Sequence, residues 1–521
     1  MSEAQTPAWL ATLQQPSAYT HPVATIELIE THISWVLLTG EFAYKLKKPL
    51  DLGFLDFSTL DQRHYYCQEE LRLNRRLAAP IYLQVLAIID TAEGIMIADP
   101  QQTGGEVLEY ALQMRQFDPD QGFDHLLQKQ QLTLPHLDQL AALIGEFHQQ
   151  LPAAPPDSEY GTLRAIRHPC DENIAQIRQQ APQLADDPRL SKVAEWSEQQ
   201  LEQLSSRFEQ RHRDGFIREC HGDLHLRNIA LWQDKVIAFD CIEFDPALRW
   251  IDTLNEIAFL IMDLDAHAAS GLGWYVLNRY LEQTGDYAGL DLLPFYRVYR
   301  AMVRAKVAAI ELAQHEEQAH RQELNEYLDL AVASLRRDSP ALLITMGFSG
   351  SGKSTVTDAL LQSLGAVRLR SDVERTRLYG QADSDQAIGT GKYSTQVSER
   401  LYHHLQEQSR HLLQAGYTVI VDAAFLQQAR RRPFAELADD CGVPFHILAL
   451  QAAPELLRER IRQRQQAGQD ASEADLAVLE AQLQHHDPLG PREQAWAIEV
   501  DTTQPVDPDG LAARIRRPGA Q

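Results

Sequence analysis

The stretch GFSGSGKST at 347–355 restricts the architecture of this chain more than any other nine residues in it. Gly347, Gly352, Lys353 and Ser354 satisfy G-x-x-x-x-G-K-[ST], a turn in which backbone N–H groups converge on an anion. Such a turn works between a strand and a helix, and both are written around it. "ALLITM" (341–346) is an apolar run of strand length, and Val356, Leu360 and Leu364 recur at helical spacing after it. An α/β P-loop domain with a parallel sheet is therefore expected. Gly347, Ser349, Gly350, Ser351, Gly352, Lys353, Ser354 and Thr355 should surround the phosphates of a nucleotide, with Lys353 opposing the transferred phosphoryl and Ser354 ligating Mg²⁺.

Three further segments extend this domain. "AVRLRSDVERTRL" (366–378) predicts a second strand ending at Arg370, then a helix opened by an S-x-x-E capping box of Ser371 and Glu374. Asp372 falls in that helix's first turn, at the carboxyl edge of the sheet, where ligands bind in such folds. It is either a mere neighbour of the cap or, as its place favours, the general base for an acceptor hydroxyl. "GYTVIVDAAF" (416–425) predicts a third strand closing on Asp422, which either holds Mg²⁺ through water or caps the next helix. "PFHILAL" predicts the fourth and last core strand. "PELLRERIRQRQQAG" after it predicts a helix with Arg458, Arg460, Arg462 and Arg464, of which Arg460 and Arg464 share a face.

On GFSGSGKST, RSDVER, VIVDAAF and the arginine-rich helix, roughly residues 340–505 resemble the P-loop kinases of small hydroxyl substrates. The gluconate kinase, polynucleotide kinase and zeta-toxin groups are the nearest likenesses. The resemblance implies ATP and Mg²⁺ as cofactors and Asp372 as the base. It also implies Arg370 and Arg375 against the acceptor or its phosphate, and Arg460 and Arg464 on a lid that closes on the transferring group.

A second constellation precedes it. "ECHGDLHLRNIALWQDKVIAFD" (219–240) holds His221, Asp223, Asn228 and a strand ending in Asp240, the layout of a kinase catalytic loop and its metal-binding carboxylate. In that layout Asp223 takes the proton of an acceptor hydroxyl, while Asn228 and Asp240 converge on Mg²⁺. "HISWVLLTGEFAYKLKKP" (32–49) predicts a hairpin of strands 33–38 and 42–47 with Lys45 in its second strand, suited to the α/β-phosphates of ATP. Its ion-pair partner is expected on the following helix at Glu70, with Glu69 as the alternative. "VLEYALQMRQF" (107–117) predicts a strand running through a hinge, with the Glu109–Ala111 backbone against adenine.

With HGDLHLRN in place, residues 20–335 resemble the aminoglycoside phosphotransferase branch of the protein-kinase-like fold. Asp223 then matches the catalytic Asp, Asn228 and Asp240 the metal ligands, and Lys45 the phosphate lysine. One departure stands out: "LIETHIS" (28–34) occupies the place of the glycine-rich phosphate lid. The whole chain resembles bacterial proteins that join such an N-terminal α+β domain, here 1–338, to a P-loop kinase domain, here 339–521. "RRDSPA" (336–341) is the linker between them.

At 521 residues with 44% hydrophobic and 23% charged side chains, the chain has the composition of a folded multidomain protein. No apolar run is long enough to span a bilayer. Five cysteines without a C-x-x-C pair argue for reduced thiols, and a cytoplasmic enzyme is expected. The net charge of −25, most of it before residue 341, lacks the footprint of a nucleic-acid binder. The expectation is a bifunctional ATP-dependent kinase acting on hydroxyls of small molecules. Carboxylates of the first module, among them Asp252, Glu256, Asp263 and Asp265, point to a cationic or neutral acceptor there, and the arginines of the second to an anionic one. Two alternatives remain: one module is an idle nucleotide sensor controlling the other, or the P-loop module is a nucleic-acid end or toxin-like kinase.

Overall fold

The computed structural model describes residues 6–51, 55–314, 317–336, 339–380, 395–467 and 475–516; the linker residues Arg337 and Asp338 lie outside them. The chain divides into two compact units, one of residues 1–169 and 208–260, the other of 170–207 and 261–521.

The first unit is built on a six-stranded antiparallel sheet. Its strands are β1 (Glu27–Glu30), β2 (Ser34–Leu38), β3 (Phe42–Lys47), β4 (Tyr82–Thr91), β5 (Gly94–Ala98) and β6 (Glu106–Arg115), in the order β1-β2-β3-β6-β4-β5. Side chains alternate across a strand. Tyr44 and Leu46 therefore join Trp35, Leu37, Leu86, Ile88 and Ala111 in one apolar layer, while Lys45 and Lys47 point together to the opposite face. There lies the helix Leu60–Ala78, opened by a capping box of Thr59 and Gln62. The strand expected over 107–117 forms as β6, but its Glu109–Ala111 segment, expected against adenine, lies inside the sheet. β6 continues to Arg115, and Ala111 is paired with Leu46 on one side and Leu86 on the other. Its backbone is consumed by the ladder, and the Glu109 carboxylate is buried against Arg63 Nε at 2.8 Å.

Past this sheet the same unit contributes β7 (Ile217–Glu219), β8 (Ile229–Trp232), β9 (Lys235–Ala238) and β10 (Trp250–Asp252), paired as two hairpin-like ladders, β7 with β10 and β8 with β9. The HGDLHLRN segment forms the loop between β7 and β8, and Asp240 follows β9.

The second unit carries a five-stranded parallel sheet in the order β12-β13-β11-β14-β15. The strands are β11 (Leu342–Met346), β12 (Val367–Arg370), β13 (Val419–Asp422), β14 (Phe445–Gln451) and β15 (Ala497–Asp501). β15 extends the sheet beyond the four strands expected. Val356, Leu360, Leu361 and Leu364 of the helix Lys353–Leu364 pack onto Leu343, Ile420 and Leu448, burying the apolar stripe that the sequence spacing promised.

The outer edge of β12 is not open. The helix Ser270–Thr284 lies along it, and Asn278, fully buried, acts there as a surrogate strand residue. Its Oδ1 accepts from the Arg368 N–H at 2.7 Å and its Nδ2 donates to Ala366 O at 2.9 Å. A sheet edge thereby has its polar groups satisfied. None of the helices among the described residues is long and apolar enough to cross a membrane. Four of the five cysteines are buried.

Candidate functional site

In the first unit the structure brings together Lys45, Glu70 and Asp240. Lys45 Nζ donates to Glu70 Oε1 at 2.8 Å and to Asp240 Oδ1 at 2.6 Å. Of the two candidate partners it is Glu70 that faces the lysine. Glu69, one residue along and turned to another side of the helix, pairs with Arg72. Burial pulls the Lys45 ammonium down, but Asp240, Glu70 and Glu243 outweigh it and hold its pKa well above the ordinary lysine value.

A second lysine, not picked out from sequence, completes the cluster. Lys47 Nζ donates to Glu70 Oε2 at 2.7 Å and to Glu243 Oε1. Glu70, with two ammonium partners, is held below the usual carboxylate range despite its burial. Glu243 has one close ammonium partner and is pushed up by burial. The signal was in "AYKLK": residues two apart in a strand share a face, so a helix carboxylate that meets Lys45 can meet Lys47 too.

The loop between β7 and β8 is held from below. Glu256, on the helix Thr253–Ala266 and fully buried, accepts from the backbone N–H of His221 at 2.9 Å and of Gly222 at 2.6 Å. His148 Nε2 donates to its Oε1 at 3.1 Å. Burial raises the Glu256 carboxyl, but the His148 bond, the His148 and His221 rings and the loop amide bring its pKa to about 2. Gly222 has φ +89°, and a Cβ there would stand 2.8 Å from Leu248 O, so only glycine fits between His221 and Asp223. His221 Nε2 donates to Phe239 O at 2.8 Å and its Nδ1 accepts from the Asp223 N–H at 3.3 Å, which fixes one tautomer. Burial lowers its pKa, against the pull of Glu256 and Asp223.

Asn228 Nδ2 donates to the backbone O and to Oδ2 of Asp223, both at 2.9 Å. Asp240 adopts φ +61°, an uncommon conformation for a non-glycine residue that Asp tolerates better than most. Its side chain stays 47% exposed while Lys45 grips one oxygen. Hard oxygen donors on Asn228 and Asp240 suit a divalent cation such as Mg²⁺.

The carboxylates expected to hold a cationic acceptor have other work. Asp252 pairs with Arg211 at 2.6 Å, Glu256 anchors the loop, Asp265 pairs with Arg297, and Asp263 lies 3.7 Å from His267. The acidic surplus therefore gives no reason to assign a cationic acceptor.

In the second unit a cleft of about 730 Å³ opens over the glycine loop, lined among others by Lys353, Ser354, Asp372, Asp422, Arg460 and Arg464. Gly350 and Gly352 have φ +80° and +84°, and a Cβ on Gly350 would meet Leu457 O at 2.9 Å. The glycine spacing is thus a steric requirement of the loop. Lys353 Nζ donates to the loop's own carbonyls, Gly347 O at 3.0 Å and Phe348 O at 2.9 Å, and burial lowers its pKa. Ser354 Oγ donates to Asp422 Oδ2 at 3.1 Å, and Thr357 Oγ1 contacts the same oxygen at 3.2 Å. Burial raises the Asp422 carboxyl against the pull of Arg368 and Lys353. A buried lysine resting on carbonyls suits an anion, and a buried carboxylate beside a serine hydroxyl suits Mg²⁺, so the residues fit both parts of a Mg-nucleotide.

Asp372 lies in the first turn of the helix Ser371–Tyr379, as expected, but without the capping box. Ser371 is the first helical residue, and Glu374 is drawn instead to Arg377 and to His404 Nε2. Arg370 Nη2 donates to Asp372 Oδ2 at 2.8 Å. Burial raises the Asp372 carboxyl, but Arg370 outweighs it and the pKa is lowered. Arg375 lines the cleft. Arg460 reaches Gly350 O at 3.3 Å and Thr502 O at 2.6 Å, whereas Arg458 turns away to Glu480. Gln482 Oε1 accepts from the Ser349 N–H at 2.8 Å.

The chain is multidomain, with a six-stranded antiparallel sheet in the first unit and, in the second, a five-stranded parallel sheet that carries the phosphate loop. Residues 342–489 match the AAA domain family. An uncharacterized protein of Mycobacterium tuberculosis is 29% identical over 487 residues, 91% of this chain and 95% of that protein. Among solved structures, an aminoglycoside 2′-phosphotransferase-IIIa is 14% identical and the match covers 61% of this chain and 94% of that one, with a TM-score of 0.35. A gluconokinase from Sinorhizobium meliloti is 23% identical, the match covering 35% of this chain and 90% of that one, with a TM-score of 0.24.

Proposed function

We propose that the protein is an ATP-dependent phosphotransferase with two kinase-like modules, each moving the γ-phosphoryl group of ATP to a hydroxyl of a small molecule. The observation that carries this reading is the cleft of the second unit, where a phosphate loop with Lys353 and Ser354 opens onto Asp372. In the proposed reaction Asp372 accepts the proton of the acceptor hydroxyl while its oxygen attacks the γ-phosphorus and the bond to the ADP oxygen breaks. Ser354 and Asp422 would hold Mg²⁺, which when bound neutralises charge on the phosphates. Arg460 and Arg464 would face the transferring group. Arg370 and Arg375 favour an acceptor bearing carboxylate or phosphate, which guanidinium groups bind in two-pronged fashion.

In the first module Asp223 would be the base, Asn228 and Asp240 the Mg²⁺ ligands, and Lys45, set by Glu70, the contact to the ATP phosphates. Since Ala111 is paired on both edges, adenine would meet the chain after Arg115 rather than at 109–111. The test is γ-labelled ATP with a metabolite extract, run on the wild type, Asp223→Asn and Asp372→Asn. Each substitution should erase a different labelled product. Identical product patterns in all three proteins would defeat the reading.

A further inference from the structure

We infer that Glu282, encoded some seventy residues before the phosphate loop, is a positioning residue of the P-loop site that sets Asp372 through Arg370. This rests on the reading of Asp372 as the base.

Glu282 lies on the helix Ser270–Thr284, four residues after Asn278 and so on the same face. Asn278 locks that face to the edge of β12. The Glu282 carboxylate is then placed among three guanidinium groups. Its Oε1 accepts from Arg368 Nη2 at 2.6 Å and Nε at 3.1 Å, and its Oε2 from Arg279 Nη1 at 2.9 Å. Oε2 also lies 3.8 Å from Arg370 Nη1, and the other terminal nitrogen of Arg370 is the one that holds Asp372. Arg370 is therefore hydrogen-bonded to Asp372 through one nitrogen and attracted electrostatically by Glu282 at the other. A planar guanidinium with an anion beside each terminal nitrogen is biased toward one orientation, and so is the carboxylate bonded to it.

Charge reinforces the geometry. Arg368 has no exposed side-chain surface and repels Arg370, while Asp358, 2.8 Å from Arg368 and 3.1 Å from Arg279, offsets those two. Glu282, drawn below the usual carboxylate range by Arg368, Arg370 and Arg279 in spite of burial, is the anion these arginines share. Neutralising it leaves Arg368 pushing on Arg370, whose close carboxylate is then Asp372. The guanidinium shifts, and the carboxylate moves with it. Displacement of a reacting group by about 1 Å costs on the order of 100-fold in rate. Arg368 Nη1 also donates to Thr357 Oγ1 at 2.9 Å, a second route from Glu282 to the phosphate-loop helix that the Arg370→Ala background separates from the first.

The test uses the full chain with Asp240→Ala to silence the first site, reading slow ATP hydrolysis with water as the acceptor; its loss on Lys353→Ala identifies it as P-loop turnover. Glu282→Gln should lower kcat about 10- to 100-fold with KM for ATP unchanged, and Glu282→Asp, which keeps the charge, should restore part of the loss. In an Arg370→Ala background Glu282→Gln should have no further effect, because the two act through one contact. Unchanged kcat in Glu282→Gln, or an equal loss with Arg370 absent, overturns the proposal. Hydrolysis that survives Lys353→Ala defeats the P-loop reading instead. In that event the crystal structure of Glu282→Gln still decides: Arg370 keeping its hydrogen bond to the same oxygen of Asp372 overturns the positioning role, and a displaced Arg370 supports it.

Discussion

Replacing Glu256 by alanine should cost the catalytic-loop region of the first unit about 3–6 kcal/mol. The carboxylate accepts from two backbone N–H groups and from His148, all in a fully buried setting. A hydrogen bond to a charged group contributes about 1.5–3 kcal/mol, and donors left buried without partners cost about 1–3 kcal/mol each. Against a total stability of about 5–15 kcal/mol for a domain, that loss is large. Acid offers a second route to the same quantity. The ordinary Glu pKa of 4.5 falls to about 2 in the fold, so the stabilisation is complete above about pH 4.5 and is lost as pH falls toward 2. At about 1.4 kcal/mol for each decade of binding, this is about 3 kcal/mol, in line with the lower mutational figure. Hydrogen exchange on peptides covering His221 and Gly222 isolates the loop from the rest of the chain. Glu256→Gln, which keeps one acceptor oxygen, should lose about half as much as Glu256→Ala. A loss below about 1 kcal/mol in Glu256→Ala, or a gap to the wild type that does not narrow from about pH 6 to about pH 3, would refute the reasoning.

Three further outcomes are expected. Calorimetry should find two Mg·ATP sites, one removed by Lys353→Ala and the other weakened by Asp240→Ala; a single site in the wild type contradicts the two-module reading. Gly222→Ala forces φ +89° on a residue with a Cβ 2.8 Å from Leu248 O, and should lower stability by about 1–3 kcal/mol in thermal melts. A wild-type melting temperature would contradict that conformation. Because Arg370 holds the Asp372 pKa below the ordinary carboxylate value, P-loop turnover should lose nothing as pH falls to about 5, and Arg370→Ala should move the acid limb upward. A limb that stays put would separate Asp372 from Arg370.

What was legible in the sequence is what local pattern determines. The phosphate loop, its flanking strand and helix, and the β2–β3 hairpin follow from spacing and turn chemistry within a dozen residues. The Lys45–Glu70 pair was legible up to helix phase, since neighbouring residues on a helix face directions about 100° apart and only the sheet decides which one meets the lysine. The missed features are long-range. Glu243 joins Lys47 across 196 positions, His148 joins Glu256 across 108, and Glu282 joins Arg368 across 86. No periodicity encodes such pairs. The strand β6 was legible, but the adenine contact was set at Glu109–Ala111 because nothing in "VLEYALQMRQF" marks how far pairing with β3 and β4 extends. The capping box failed because the helix starts at Ser371 itself, leaving Glu374 free to be claimed by Arg377 and His404.

The asparagine that stands in for a strand on the flank of β12 also bears on how this protein can be cut. A fragment begun at the linker near 339 would keep all five parallel strands and lose Asn278, baring the Ala366 carbonyl and the Arg368 amide along the edge of β12. A bared strand edge is a template for pairing with another chain. Such a fragment would self-associate through that edge, and would leave Arg368 buried without Glu282. The boundary that yields a well-behaved P-loop fragment is therefore set by the start of the helix at Ser270, well inside the chain that reads as the preceding module.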